Sequence, residues 1–137
     1  MYIAVMGYGT VGSGVVEVFL KNHDSIIKKC GQSQLDLKYI LDLRDFPNDP
    51  NKDKFTKDFN DILNDDEVKI VVETMGGLHP AFEFVSSLLK AGKSVVTSNK
   101  ELVAAKGYEL LTIADENNVN FLFEASVGGG IPIIRPI

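Results

Sequence analysis

The chain has 137 residues, 45% hydrophobic and 24% charged, with a net charge of −5 from 14 basic and 19 acidic side chains. That suffices for one domain with a core of its own; the lone Cys30 excludes an intramolecular disulfide and suits a reducing cytoplasm. No apolar run reaches the roughly 18 residues of a membrane span, Met1-Tyr2-Ile3-Ala4-Val5 reads as a strand and not a signal peptide, and an acidic surface without a basic patch disfavours nucleic acid.

In chain order, Met1 to Met6 is a compact β-rich run. Glycines follow, and then Val11, Val15, Val16, Val18, Phe19 and Leu20 suit a helix. Leu35 to Leu41 predicts a second strand. Asp42 to Asp58, with Pro47, Pro50 and several Asn and Asp residues, predicts a loop, and Phe59 to Leu63 one short helical turn. Lys69 to Glu73 is a third strand, ending at Met75-Gly76-Gly77. Leu78, Phe82, Val85 and Leu89 recur at helical spacing, with Ala91-Gly92 as the stop. Ser94 to Thr97 predicts a strand, Lys100 to Asn117 a helix and Val119 to Phe123 another strand, before the cluster Gly128-Gly129-Gly130 and Ile131-Pro132.

Buried β-branched strands alternating with helices predict an α/β fold. It is a Rossmann-like, doubly wound, mainly parallel sheet with helices on both faces. Ligands of such sheets sit beyond the carboxyl ends of the strands, where the motifs of this chain fall.

Gly7-Tyr8-Gly9-Thr10-Val11-Gly12 matches G-x-G-x-x-G directly between a strand and an amphipathic helix. Gly7 permits the tight turn, Gly9 lets the backbone approach a pyrophosphate, and Gly12 lets helix and sheet pack closely. The bare N–H groups and positive dipole end of the helix then favour phosphates. At the end of the second strand Asp42 suits the 2′-hydroxyl of NAD and Arg44 the 2′-phosphate of NADP, or both are solvated strand-end residues. NAD against NADP stays open at this point.

Three further segments, Val71 to Gly77, Val95 to Leu102 and Glu124 to Pro132, stand in register with Gly7 to Gly14. In order and spacing the chain resembles homoserine dehydrogenase over essentially its whole length. The resemblance implies NAD(P)-dependent interconversion of homoserine and aspartate semialdehyde, with Tyr8, Gly9, Thr10 and Val11 around the pyrophosphate. Thr74, Met75 and Gly76 would lie along the cofactor, although a strand-end Thr also caps helices. Ser98 and Lys100 follow the fourth strand. The resemblance implies cofactor contact by both, and a catalytic part for Lys100 in proton transfer or in stabilising a developing alkoxide. A lysine beside a positive helix end is otherwise unfavourable. Glu124, Val127, Gly129 and Ile131 resemble the family's monovalent cation site, holding sodium mostly through main-chain carbonyls. A plain glycine hinge is the competing reading.

Residues 1–137 thus read as one NAD(P)-binding domain. The family's substrate-binding and dimerising domain would follow Gly-Gly-Gly-Ile-Pro, and the chain ends at Arg135-Pro136-Ile137, so a cut near 132–137 is expected. The expectation is a piece that binds cofactor without turnover, from a homo-oligomeric parent. His23 and His79 read as surface or capping residues, Cys30 as an inert thiol, and Phe82, Phe84, Phe121 and Phe123 as core or sheet-face residues. Two alternatives remain at this stage: the Rossmann domain of another NAD(P)-dependent aldehyde dehydrogenase or reductase, and a non-catalytic NAD(P)-sensing module. The second alternative calls for a recognition helix or basic surface, and neither is visible.

Overall fold

In the computed structural model, which describes residues 1–22, 35–124 and 133–134, strand β1 (Tyr2–Met6) lies near the middle of a seven-stranded sheet. The others are β2 (Asp36–Leu41), β3 (Phe55–Thr56), β4 (Val68–Glu73), β5 (Ser94–Thr97), β6 (Phe121–Glu124) and β7 (Ile133–Ile134), in the order β3-β2-β1-β4-β5-β6-β7. Neighbours from β3 to β6 pair in parallel, and β7 pairs antiparallel with β6. The order in which successive strands are added reverses between β1 and β4, so a crevice opens there at the carboxyl edge.

Four described helices cover the sheet: α1 (Thr10–Lys21), α2 (Phe59–Leu63), α3 (Ala81–Lys90) and α4 (Lys100–Glu116). Side chains of β1 alternate between two cores. Ile3 and Val5 pack with Val16 and Phe19 of α1 and with Leu37 and Ile40 of β2. Ala4 and Met6 pack on the other face with Val85, Leu88, Leu102 and Leu110 of α3 and α4. Helices on both faces explain why Ile3 to Met6 of β1 and Ile70 to Val72 of β4 are apolar at every position.

Two irregularities set the phase of this alternation. Register shifts leave Lys38 of β2 and Lys69 of β4 without a partner in β1. One extra residue reverses the alternation, so Leu37 and Ile40 reach the same core although three apart. The Lys38 ammonium lies 2.6 Å from Asp65 Oδ2. Helix α3 ends in paired turns, with Gly92 N–H donating to Leu89 O and Lys93 N–H to Leu88 O; Gly92 takes φ +85° as this ending requires.

The expected elements are present with shifted ends. Helix α3 starts at Ala81, not Leu78, because Pro80 occupies the residue before it. The stretch Asp42 to Asp58 is not all loop. It contains a 3-10 turn (Lys52–Lys54) and β3, whose two residues pair with Ile40 and Leu41 and are too few to show a period. His23, Cys30, Val127, Gly129, Ile131 and the segment 135–137 lie outside the described residues.

Candidate functional site: a cleft at the carboxyl edge of the sheet

The main chain beyond each strand end hydrogen-bonds to its neighbour, which builds a terrace along this edge. Gly7 N–H donates to Leu41 O, Thr74 N–H to Met6 O and Ser98 N–H to Glu73 O, at 2.7, 2.9 and 3.1 Å. Above it opens a cleft of about 440 Å³, bounded by Gly7, Tyr8 and Gly9, by Leu41 to Arg44, and by Thr74 and Met75. Its apolar wall includes Phe59 and Phe84, stacked at 4.0 Å and 6°. Phe84, expected only as a packing residue, is therefore a cleft residue as well.

The glycines of the first loop have three different environments. A Cβ on Gly7 would meet Thr74 Oγ1 at 2.8 Å, and φ there is +96°; a Cβ on Gly12 would run into the Gly7 main chain. Both are required by the protein itself. Around Gly9 no atom lies within 4 Å of a Cβ, and its backbone is extended. It lines the cleft, and its missing side chain leaves room for a ligand to reach the backbone. Gly9 is also the residue before α1, a helix with no side-chain cap and no acid in its first turn. By contrast Asp58 caps α2 and Asn99 caps α4. The N–H groups and positive end of α1 thus remain available to an anion. A pyrophosphate fits this cradle.

Tyr8 turns toward the loop after β2. Its hydroxyl donates to Asp49 Oδ2 at 2.7 Å, and its ring meets Phe46 and Phe55 edge-on at 5.1 and 4.8 Å. Burial, and then the hydrogen bond to Asp49, raise its pKa.

Asp42 and Arg44 are joined to each other. Asp42 Oδ1 accepts from the Arg44 main-chain N–H and Nε at 2.9 and 3.0 Å; Oδ2 accepts from Arg44 Nη2 and the Tyr8 N–H, both at 2.9 Å. The Arg44 guanidinium is the main reason the carboxyl titrates at about 2. Four donors fill the roughly four lone-pair sites of a carboxylate, so a ribose hydroxyl needs Arg44 to move. The Arg44 side chain is 63% exposed, and its guanidinium keeps three N–H groups beyond those given to Asp42. Lys57 borders the same cleft and pairs with Asp45 at 2.8 Å. Sequence reasoning missed Lys57, since a lone lysine in a loop carries no signal.

Thr74 does not cap a helix. Its hydroxyl lies 2.8 Å from Met6 O and 3.0 Å from Gly7 O, so it donates back to the glycine loop while its side chain lines the cleft. Met75 lines it too. Thr10, Val11, Gly12, Gly76, Ser98 and Lys100 are not among its walls. The first three open α1, Gly76 continues the loop after β4 at φ +76°, and Ser98 and exposed Lys100 stand one strand further along, after β5. His79 is a surface residue, its Nδ1 2.7 Å from Glu83. Of the expected cation ligands only the main chain of Glu124, at the end of β6, is described.

A family model described as the NAD binding domain of homoserine dehydrogenase matches residues 7–124. The chain belongs to the homoserine dehydrogenase family. Homoserine dehydrogenases of Lactococcus lactis and Bacillus subtilis are 36% and 37% identical over 98% of this chain. The chain spans 32% of either relative's length, so it corresponds to their NAD-binding part. A crystal structure of Staphylococcus aureus homoserine dehydrogenase superposes with a TM-score of 0.83 at 41% identity, covering 96% of this chain and 35% of that one. The homoserine dehydrogenase of Thiobacillus denitrificans gives 0.81 at 34% identity, covering 96% and 31%. The likeness spans the glycine loop, the Val71 to Gly77 segment and the Val95 to Leu102 segment alike.

Proposed function

We propose that this chain binds NAD(P) along the carboxyl edge of its sheet and supplies the cofactor half of a homoserine dehydrogenase. The observation that carries this is Gly9, a glycine that neither its backbone angles nor a neighbouring atom requires, beside the uncapped start of α1. The pyrophosphate sits over β1 against Gly9, Thr10 and Val11. Adenosine extends over β2, with the Phe59–Phe84 wall beside the base, and nicotinamide riboside extends over β4 and β5 past Met75 and Gly76.

Of the two dinucleotides, the arrangement at β2 favours NADP. Asp42 is saturated by four donors, while the free edge of Arg44 and the ammonium of Lys57 face an incoming 2′-phosphate. Separate calorimetric titrations with NADPH and NADH test this, with NADPH expected to bind more tightly. Arg44→Ala should remove most of the difference. Equal affinities in the unaltered chain would return Arg44 to a plain surface partner of Asp42.

The reaction proposed for the complete enzyme is interconversion of homoserine and aspartate semialdehyde. The nicotinamide, when bound, exchanges the hydride. Lys100, at the β5 end beside Ser98, supplies positive charge near the alkoxide and takes part in moving its proton. Glu124, Val127, Gly129 and Ile131 would hold a sodium ion through oxygen ligands. In this reading the complete enzyme is a cytoplasmic homo-oligomer and the chain alone binds cofactor without turnover. Homoserine oxidation by the purified 137-residue chain would overturn that last point.

A further inference from the structure

Glu73 ends β4 on the sheet face that α3 and α4 cover, and it is fully buried. Val71 and Val95, the residues two before Glu73 and Thr97 on the same face, are ordinary core valines. A carboxyl group in such a place loses its hydration, and an apolar side chain of similar size would serve stability as well or better. What an apolar side chain does not do is accept two hydrogen bonds, one from the loop after its own strand and one from the end of the neighbouring strand. Glu73 Oε2 accepts from the main-chain N–H of Met75 at 2.7 Å, and Oε1 from the hydroxyl of Thr97, also fully buried, at 2.6 Å.

The chain of bonds continues in one direction. Thr97 Oγ1 accepts from the Asn99 N–H at 3.0 Å, which leaves its hydrogen for Glu73. Asn99, 4% exposed, then uses both ends of its amide. Oδ1 accepts from Leu102 N–H at 3.0 Å and caps α4, and Nδ2 donates to Gly77 O at 2.5 Å. One closed network therefore fixes the Met75-Gly76-Gly77 loop after β4 against the turn that carries Ser98 and Lys100 after β5. No described buried side-chain polar atom lacks a partner, and a network satisfied in this way holds its members rigidly.

We propose that Glu73 is a positioning residue for the nicotinamide half of the cofactor site, acting through Thr97 and Asn99 to set the β4 loop and Lys100 at one spacing. The proposal rests on the cofactor reading above. Its chemistry is directional: both Glu73 oxygens must accept. In Glu73→Gln the new NH2 either faces the Met75 N–H, and that tie fails, or faces Thr97, whose hydroxyl must then turn its hydrogen away and leave it without its buried acceptor. The adenosine side, built on Gly7 to Gly12 and on Asp42, makes no bond to the Glu73, Thr97 or Asn99 side chains; it meets the β4 loop through Thr74, whose main-chain N–H and hydroxyl bond to Met6 and Gly7 and not to the network.

The test compares two ligands on the whole chain. NADPH reports the full site; adenosine 2′,5′-bisphosphate lacks the nicotinamide riboside and reports the adenosine side alone. Glu73→Gln is expected to weaken NADPH by about tenfold and leave the bisphosphate within about twofold, the cost of displacing aligned groups without removing them. Should glutamine at 73 prevent folding, Thr97→Val reads the same split, and Thr97→Ser, which keeps the hydroxyl, restores it. Unchanged NADPH affinity, or equal losses for both ligands, would overturn the proposal. An unaltered chain that binds neither ligand would instead overturn the cofactor reading itself, and the positioning role with it.

Discussion

A Cβ on Gly12 would stand 1.9 Å from the carbonyl oxygen of Gly7, so the first turn of α1 rests directly on the bend that leaves β1. The same construction on Gly9 meets nothing within 4 Å. Packing therefore requires a glycine at 12 and not at 9, and substitution separates the two. Gly12→Ala should lower stability by about 1–3 kcal/mol or more, since main chain must move. Gly9→Val should leave the melting temperature nearly unchanged and weaken dinucleotide binding at least about 100-fold, or roughly 2.7 kcal/mol. Calorimetry and thermal melts on both variants check this. Undiminished affinity in Gly9→Val would remove the loop from the site.

Asp42 gives a pH signature. Its carboxyl titrates at about 2 in the folded chain, below the ordinary 3.8, chiefly through the Arg44 side chain. A depressed folded pKa contributes stability that is fully present above the ordinary value and lost as pH falls through the folded one. With most of the Arg44 side chain in water the contribution is on the order of 1 kcal/mol. Asp42→Asn should therefore be less stable than the unaltered chain above about pH 4, with the gap closing toward pH 2. Urea unfolding at several pH values measures it, and a gap independent of pH would detach the effect from this carboxyl.

Lys93 marks the opposite edge of the sheet. Its side chain is buried and its ammonium donates to Asp65 O and Val68 O at 2.6 and 2.8 Å. Burial lowers its pKa. Lys93→Met keeps the stem and strands two carbonyls, so a loss of about 1–3 kcal/mol is expected with no change in dinucleotide affinity. Weakened binding at constant stability would contradict this purely architectural role.

Lys100 should behave in the reverse way. It is exposed at the start of α4 and carries no ion pair among the described residues. Lys100→Ala should change stability by less than about 0.5 kcal/mol. Joined to the remainder of a homoserine dehydrogenase, the same change should lower turnover about 100-fold or more. A wild-type rate would leave Lys100 as a solvated helix-start residue.

Much of the site was legible because its motifs are local. Gly7, Gly9 and Gly12 differ by two and three positions, and their neighbours in sequence are β1 and α1 themselves. Asp42 and Thr74 were legible as strand ends. Their bonding was not, because each closes over long separations: Thr74 to Met6 and Gly7, Asp42 to Tyr8. Phe59 with Phe84, and Lys57 with Arg44, become cleft walls only once β2, β3 and α3 are assembled.

Alternation of buried β-branched runs with helical periods, punctuated by glycines, determined the parallel sheet and the edge where the motifs gather, because each signal acts within a few residues. Tertiary structure alone decided that Asp42 receives the Tyr8 N–H, and that Glu73, Thr97 and Asn99 close a buried network between two loops. A hydrogen bond carries no period along the chain. Partners that lie 24 residues apart, as Glu73 and Thr97 do, meet only when their strands have paired.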